Sequence, residues 1–196
     1  MPPTYRIVPG FPQTERPVAV RLFWQAFAGK LGRVMAPEDK ALAFLERVIN
    51  PDFAVSALSP EGGLLGLAGF KTDQGALIGG GLGDMTAVYG LFGGTWRGLL
   101  LDTLERETED GCLLMDGIFV AEDARGRGIG GALLEAVFTE ARSRNLSRVR
   151  LDVINTNPRA KALYERKGFK AVSEEKTGIL ELLFGFSSST RMARTV

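Results

Sequence analysis

Histidine is absent from this chain, and cysteine occurs once, at Cys112. Without histidine, the protein cannot form the Ser-His or Cys-His pair that activates the nucleophile in many hydrolases. One cysteine cannot close an intramolecular disulfide, and without histidine it cannot complete a structural zinc site. The sequence therefore excludes two large classes, the histidine-activated hydrolases and the structural zinc proteins, and predicts no metal. The single cysteine also favours a reducing compartment.

A strong charge of one sign and long apolar runs are also missing. Lys and Arg number 24 against 23 Asp and Glu, for a formal net charge of +1, so electrostatics predicts neither a nucleic-acid nor a membrane partner. The most apolar region, residues 76–101, is interrupted by Asp84, Thr86 and Arg97, and falls short of the roughly 18 apolar residues of a membrane span. The first residues lack the pattern of a secretory signal. We expect a cytoplasmic protein.

What the sequence does have is the composition of a folded domain. Hydrophobic residues make up 45% and charged residues 24% of the 196 positions, close to the averages of soluble proteins. This length is enough to bury a sizeable core. We predict a single α/β domain over residues 1–186, with a variable apolar insertion at about 75–108 and a polar, flexible tail at 187–196.

The N-terminal half is predicted to contain a strand, two helices and a hairpin. The predicted elements are a strand at 4–8, a helix capped by Thr14 with Pro17 in its first turn, a helix from Pro37 to Asn50, and strands at 52–58 and 64–71. The SPEGG segment between the last two strands is typical of an antiparallel hairpin. Residues 75–83 are predicted as a glycine-rich loop, and the apolar spacing over 84–106 indicates a helix despite its glycines.

The C-terminal half alternates strands and helices more clearly. The predicted elements are a strand at 112–120, a helix at about 129–144, a strand at 148–154, a helix from Asn157 to about 167, and strands at about 168–173 and 178–185. The order of strand, helix and strand predicts a right-handed parallel crossover.

Glycines crowd the start of the helix that follows Val120. The chain there is AEDARGRGIGG, so several backbone N–H groups without bulky side chains can point at one anion, with help from the helix dipole and from Arg125 and Arg127. This pattern indicates pyrophosphate binding. A tight surface turn would use the same glycines.

A dinucleotide-binding unit is an alternative, because Gly126, Gly128 and Gly131 satisfy GxGxxG and Asp152 is a candidate ribose ligand. Against it, the first of these glycines lies six positions after Val120 instead of in a tight turn at the strand end. No GK[ST] follows the glycines, so the loop is not a Walker A loop.

The sequence around this loop resembles the GNAT superfamily of acyl-CoA-dependent N-acyltransferases. The loop motif of that family, Q or R followed by xxGxG or xxGxA, falls on Arg125, Gly128 and Gly130. A second motif, NxxAxxLYxxxGF, falls on residues 157–169. The close match covers about residues 112–173. The resemblance implies a mixed, mostly antiparallel sheet flanked by helices, in which a central parallel pair of strands splays apart to admit the cofactor.

The resemblance also implies a binding site for acetyl-CoA as co-substrate. The pyrophosphate would lie on the backbone of the loop, and the pantetheine arm would pair with the strand before it. Asn157 would cap its helix and contact the cofactor, and Arg159 or Lys161 would reach the 3′-phosphate. The implied cofactor-binding residues are Ile118, Phe119, Val120, Arg125, Gly126, Arg127, Gly128, Ile129, Gly130, Asn157 and Lys161.

The resemblance assigns Tyr164 as the general acid that protonates the departing thiolate, since a phenol is protonated at neutral pH. From its spacing alone, Tyr164 would be a packed aromatic on an amphipathic helix. Asp116 and Asp152 are both candidates for the base. Period two places Asp116 on the same strand face as Ile118 and Val120. Each carboxylate would otherwise pair with an arginine, Asp152 with neighbours such as Arg148 or Arg150.

The predicted function is transfer of an acetyl group from acetyl-CoA to a primary amine by direct attack, with the Val120 N–H holding the developing oxyanion. The alternative is an acyl-CoA-binding sensor without turnover. The acceptor, a small amine or a peptide, is not specified by any motif. Three interpretations of the insertion at 75–108 stand: a lid over an acceptor pocket, a homodimer face, or core packing.

Overall fold

The computed structural model describes residues 4–102, 108–176 and 186–196 as helices packed against one sheet. The helices are α1 (Arg16–Leu31), α2 (Glu38–Val48), α3 (Leu82–Asp102), α4 (Ile129–Ser143) and α5 (Pro158–Arg166). The strands are β1 (Arg6–Pro9), β2 (Ala54–Leu58), β3 (Leu64–Thr72), β4 (Gly75–Ala76), β5 (Cys112–Val120), β6 (Arg148–Ile154), β7 (Lys170–Lys176) and β8 (Ser188–Thr195).

The sheet has the strand order β1-β2-β3-β5-β6-β8-β7, with β4 paired on β3. Strands β5 and β6 are parallel, and the other neighbouring pairs are antiparallel. The connection from β5 through α4 to β6 is the crossover that the sequence predicts. The fold class is therefore confirmed: a mixed, mostly antiparallel sheet flanked by helices, with a parallel pair at its centre.

The first two helices differ from prediction only at the start of α1. Thr14 lies in a short 3-10 turn, and no side chain caps α1, so the predicted Thr14 cap is wrong. Pro17 does lie in the first turn, where its missing N–H has no intrahelical partner to lose. The Arg16 guanidinium instead donates to the carbonyl oxygens of Glu46 and Ile49, at 2.7 and 2.8 Å. This contact ties the start of α1 to the end of α2.

The predicted hairpin and the following glycine-rich segment are largely present. β2 and β3 pair antiparallel, as the SPEGG turn indicates. The segment 75–83 is not entirely loop, because β4 pairs with β3 and α3 begins at Leu82. The predicted helix 84–106 is present up to residue 102, and residues 103–107 lie outside the described residues.

The C-terminal residues form a strand rather than the predicted flexible tail. β8 pairs antiparallel with β6 from Ser189 to Thr195 and with β7 on its other side. The polar composition of this segment predicts a frayed end. In the structure the segment is an interior strand, because its backbone is paired on both sides while most of its side chains remain near the surface. Met192, 1% exposed, anchors it in the core. The strand predicted at 178–185 lies outside the described residues.

Within the described ranges, no helix is long and apolar enough to span a bilayer.

Candidate active site

A β-bulge in β5 separates the two parallel strands at the centre of the sheet. β3 pairs Gly69 with Gly117 but Phe70 with Met115, so Asp116 is the extra residue of a bulge in β5. β5 pairs with β6 only from Cys112 to Leu114, just before this bulge. A bulge bends its strand and ends regular pairing. The predicted splay is therefore present, and it opens from Asp116 onwards.

The bulge also changes which side chains share a face of the sheet. The Phe119 ring packs on Phe23 of α1, with a centroid distance of 5.5 Å, so we call this side the α1 face. Ile118 lies on the other side, where a Cβ built on Gly130 of α4 would be 4.0 Å from its methyl carbon. We call that side the α4 face.

Asp116 lines a cavity together with Phe23 and Phe27, which places it on the α1 face. The period-two prediction that Asp116 shares a face with Ile118 and Val120 is therefore wrong, because the extra residue of the bulge shifts the alternation by one. A bulge leaves no signal in the spacing of apolar residues over 112–120, so this shift could not be predicted from the sequence.

The loop between β5 and α4 leaves room for an anion on the α4 face. Gly126 and Gly128 both have φ of +82°, a conformation that favours glycine. Among the described residues, nothing lies within 4 Å of a Cβ built on Gly126, and only the Tyr5 hydroxyl, at 3.7 Å, approaches one on Gly128. No side chain caps α4, and the first N–H groups of a helix have no intrahelical acceptor. This geometry fits a pyrophosphate.

Arg125 and Arg127 stabilise the conformation of this loop and also give it positive charge. Arg125 Nε donates to the Val120 carbonyl oxygen at 3.2 Å, and an Arg127 terminal nitrogen donates to the Asp123 carbonyl oxygen at 2.8 Å. Both side chains are exposed, and each guanidinium has further donors for a phosphate. The two arginines therefore lie at the loop surface that the glycines leave open.

The backbone at the end of β5 faces the splay at alternate residues. The Ala121 N–H donates to the Leu65 carbonyl oxygen at 2.9 Å, so the polar groups of Phe119 also face β3, and those of Ile118 and Val120 face away from it. This direction suits Ile118 and Val120 for pairing with an amide-rich arm. Phe119 is placed differently, because its backbone faces β3 and its ring is buried against α1.

Helix α5 brings the second motif to the same region. The Asn157 side chain accepts from the Ala160 N–H at 3.1 Å, so Asn157 caps α5 as predicted. A Cβ on Gly130 would be 3.6 Å from a Leu163 methyl carbon, which shows that α5 packs beside the anion loop. Lys161, half-buried, lies one turn after the cap.

Tyr164 is buried on the inner side of α5. Its side chain is 7% exposed and its ring lies 5.8 Å from that of Phe169. Burial raises the pKa of Tyr164 to about 12. The packed aromatic expected from spacing alone is therefore present, and the same burial keeps the phenol protonated at neutral pH.

A cavity of about 1140 Å³ opens on the α1 face. Asp116, Asp152 and Arg191 form part of its wall, and helices α1, α2 and α3 contribute apolar side chains. The cavity thus brings the two predicted base candidates to one opening, on the side of the sheet away from the anion loop.

Asp152 forms an ion pair that the sequence did not suggest. Its carboxylate, 16% exposed, lies 3.5 Å from Arg191 Nε on β8, and Arg191 also contacts Glu175 at 2.8 Å. The predicted partners Arg148 and Arg150 both contact Glu109. Arg191 was missed because it lies in the segment predicted to be flexible, and only strand pairing places it opposite Asp152.

Cys112 is poorly placed for covalent catalysis. It begins β5, about 26 Å along the strand from Val120 at ~3.3 Å per residue. Its side chain is buried, and burial, followed by the nearby Glu109 carboxylate, raises the pKa of its thiol. A buried thiol of raised pKa is a poor nucleophile, so the geometry favours direct transfer.

Helix α3 is a hairpin of two helical segments. Gly90, with φ 76° and ψ 169°, interrupts the helix. A Cβ on Gly94 would lie 2.5 Å from the Thr86 Cα, and one on Gly98 would lie 2.8 Å from a Leu82 methyl carbon. Two glycines one turn apart therefore let the second segment pack closely on the first.

The α3 hairpin is fastened to α1 and α2. Arg97 donates to the carbonyl oxygens of Val34 and Ala36, at 2.7 and 3.0 Å, and lies 4.4 Å from the centroid of the Tyr89 ring. The Tyr89 hydroxyl donates to the Met35 carbonyl oxygen. These contacts hold the hairpin against the loop between α1 and α2, where it forms part of the cavity wall.

Comparison with solved structures gives the same fold over the whole chain. A GCN5-related N-acetyltransferase from Kribbella flavida is 16% identical, with full coverage of both chains and a TM-score of 0.65. An N-acetyltransferase from Staphylococcus aureus Mu50 is 14% identical, with coverage of 96% and 100% and a TM-score of 0.66. At these identities the likeness concerns the fold.

Sequence comparison supports the family more directly. A mycothiol acetyltransferase from Beutenbergia cavernae is 46% identical over 50 residues, which are 26% of this chain and 17% of that protein. The match therefore spans only a small part of this relative. The model of the acetyltransferase (GNAT) family matches residues 23–169. Because that match covers well over half of the chain, the protein belongs to the GNAT family of acetyltransferases.

Proposed function

We propose that the protein is an N-acetyltransferase that moves an acetyl group from acetyl-CoA to a primary amine by direct attack. One observation carries the proposal: the splay of β5 and β6 after Leu114 lies between a glycine loop on the α4 face and a cavity on the α1 face. Two substrates could reach one opening from opposite sides of the sheet. Acetyl-CoA supplies the activated acetyl group.

The α4 face holds the acetyl-CoA in this proposal. The loop N–H groups from Arg125 to Gly130, with the two loop arginines, bind the pyrophosphate. Ile118 and Val120 pair with the pantetheine arm, and the Val120 N–H also stabilises the oxygen of the reacting carbonyl. Asn157 and Lys161, on α5, lie beside the same path.

On the α1 face, Asp116 accepts the proton of the incoming ammonium, directly or through water. It lies at the point where β5 leaves β6, so its carboxylate is the one that the bulge presents to the opening. The Asp152 carboxylate is engaged by Arg191 at 3.5 Å, and we assign Asp152 the role of holding β8 and the cavity wall.

Tyr164 acts as a hydrogen-bond donor to the departing sulfur. The pKa of this phenol is about 12, more than three pKa units above the value of about 8.5 for a thiol. Complete transfer of the proton from the phenol to the thiolate is therefore unfavourable. A hydrogen bond to the developing negative charge has no such penalty and stabilises it. Solvent then completes the protonation of the thiol.

Calorimetry with acetyl-CoA, followed by measurement of free thiol with a panel of amines, tests this function. We expect saturable binding and amine-dependent thiol release. Absence of binding by folded protein would remove the proposal. Binding without thiol release or acetylated product for any amine would instead support the sensor without turnover.

A further inference from the structure

The α1-face cavity has a charged end and an apolar end. Asp116, Asp152 and Arg191 lie at the charged end, where the strands separate. At the apolar end, α1 and α2 contribute Phe23, Phe27 and Phe44, and the α3 hairpin contributes Met85 and Leu99. Lys71, Asp73, Glu175 and Lys176 also line the cavity. A molecule that fills the cavity therefore meets charged groups contributed by the sheet and the turn after β3, and rings and aliphatic chains contributed by the helices.

The volume of the cavity exceeds what an amino group needs. It measures about 1140 Å³, against roughly 300–1,000 Å³ for ordinary small-molecule sites. The apolar end is also held in place, because Arg97 and Tyr89 fasten the α3 hairpin to residues 34–36.

Resting on the proposed function, we infer that the acceptor is a small primary amine with an apolar body, of the alkyl or arylalkyl class. Its ammonium group lies beside Asp116, and its body lies between the aromatic rings of α1 and α2 and the α3 hairpin. The α3 hairpin thereby determines which acceptors fit. Polyamines and amino sugars do not match the apolar end.

A homologous series of amines tests the acceptor class. We expect kcat/KM to rise roughly fourfold for each methylene from propylamine to hexylamine, as for burial of one CH₂, and phenethylamine to exceed spermidine and glucosamine by at least tenfold. A flat series, or preference for spermidine or glucosamine, would overturn the inference. Calorimetry with hexylamine and CoA gives a second readout, and no binding together with no turnover would also overturn it.

Two substitutions on the second segment of α3 test the role of the hairpin. Leu99 is 61% exposed and lines the cavity, whereas Leu91 is 73% exposed and does not. We expect Leu99→Asp to lower kcat/KM for hexylamine at least tenfold while the acetyl-CoA dissociation constant stays the same. Leu91→Asp is the matched control and leaves both unchanged. Equal losses in the two variants would contradict a wall formed by Leu99.

The two proposals fail in different ways. If the protein does not bind acetyl-CoA, the proposed function fails and the acceptor inference fails with it. If it binds acetyl-CoA and acetylates spermidine or glucosamine in preference to hexylamine, the proposed function stands and only the acceptor inference is overturned.

Discussion

The two faces of the central sheet are built in different ways. On the α4 face, the anion loop uses backbone N–H groups, two glycines of positive φ and the helix start at Ile129, all within a short stretch of chain. On the α1 face, the cavity wall comes from β5, β6, β8 and three helices that are distant in sequence. One site is local in the chain and the other exists only after folding.

This difference suggests how the two faces can vary. A phosphate-binding loop needs backbone geometry, so few substitutions are compatible with it. A cavity wall made of side chains from separate elements can change one residue at a time while the sheet stays the same. We therefore expect variants of the loop to affect binding of acetyl-CoA, and variants of the wall to affect the amine.

The largest effect is expected for Gly128→Val. A β-branched residue is strained at φ of +82° and displaces the loop donors. Since a hydrogen bond to a charged group contributes about 1.5–3 kcal/mol, the loss of one or two should weaken acetyl-CoA binding roughly 100-fold. Gly62→Val is the control, because Gly62 also has positive φ, +96°, in open space far along the chain. Equal weakening by both would indicate general destabilisation.

Tyr164→Phe is expected to lower kcat roughly 10- to 100-fold. The substitution removes one hydrogen bond to a developing charge and keeps the buried ring beside Phe169. The acetyl-CoA dissociation constant should change little. Stopped-flow measurement of a single turnover isolates the chemical step, and an unchanged rate in that step would remove the role of the hydroxyl.

Gly90→Ala tests the α3 hairpin. The combination of φ 76° and ψ 169° is accessible essentially only to glycine, so alanine should lower the free energy of unfolding by about 1–3 kcal/mol. Opening of the hairpin should also raise the KM for the amine. Gly81→Ala, at a glycine without positive φ and with nothing near its Cβ, is the control in urea unfolding. Similar losses in both would argue against a special backbone at Gly90.

Asp116→Asn should lower kcat/KM for the amine roughly tenfold at pH 7. The difference in kcat/KM between this variant and the wild-type protein should become smaller as pH rises, because the amine is then already deprotonated and needs no base. Asp152→Asn tests the assignment of the base. We expect it to lower the melting temperature, since Arg191 loses one of its two charged partners, and we expect any loss of kcat/KM to stay the same as pH rises. If Asp152→Asn alone shows a difference that becomes smaller as pH rises, the base is assigned to the wrong strand.

The last prediction concerns stability in alkali, outside the neutral range in which the protein acts. The pKa of Tyr164 is about 12 in the folded protein and about 10 in an unfolded chain. The unfolded state therefore loses this proton first, and the tyrosine lowers folding stability from about pH 10 up to pH 12, by about 1.4 kcal/mol per pH unit. Tyr164→Phe should remove this part of the decline in urea titrations. Parallel declines in both proteins would contradict the burial effect.

Local features could be predicted from the chain, and long-range ones could not. The glycine turn before α4, the Asn157 cap and the strand 112–120 depend on neighbouring residues, and the structure contains them. The Asp116 bulge depends on the register with β3, and the Arg191 pair depends on β8 lying beside β6. Helical spacing predicted α3, but the packing of Gly94 and Gly98 on its first segment required the fold.

The sequence by itself determined the family motifs, the order of helices and strands from β1 to β7 apart from the short β4, and the classes of chemistry that the missing histidines exclude. Those properties depend on residue types and on spacing along a few turns or one strand. The tertiary structure decided which face carries Asp116, which partner Asp152 has, and where the apolar insertion packs. Such properties depend on contacts between segments tens of residues apart, and a single inserted residue at a bulge is enough to exchange the two faces of a strand.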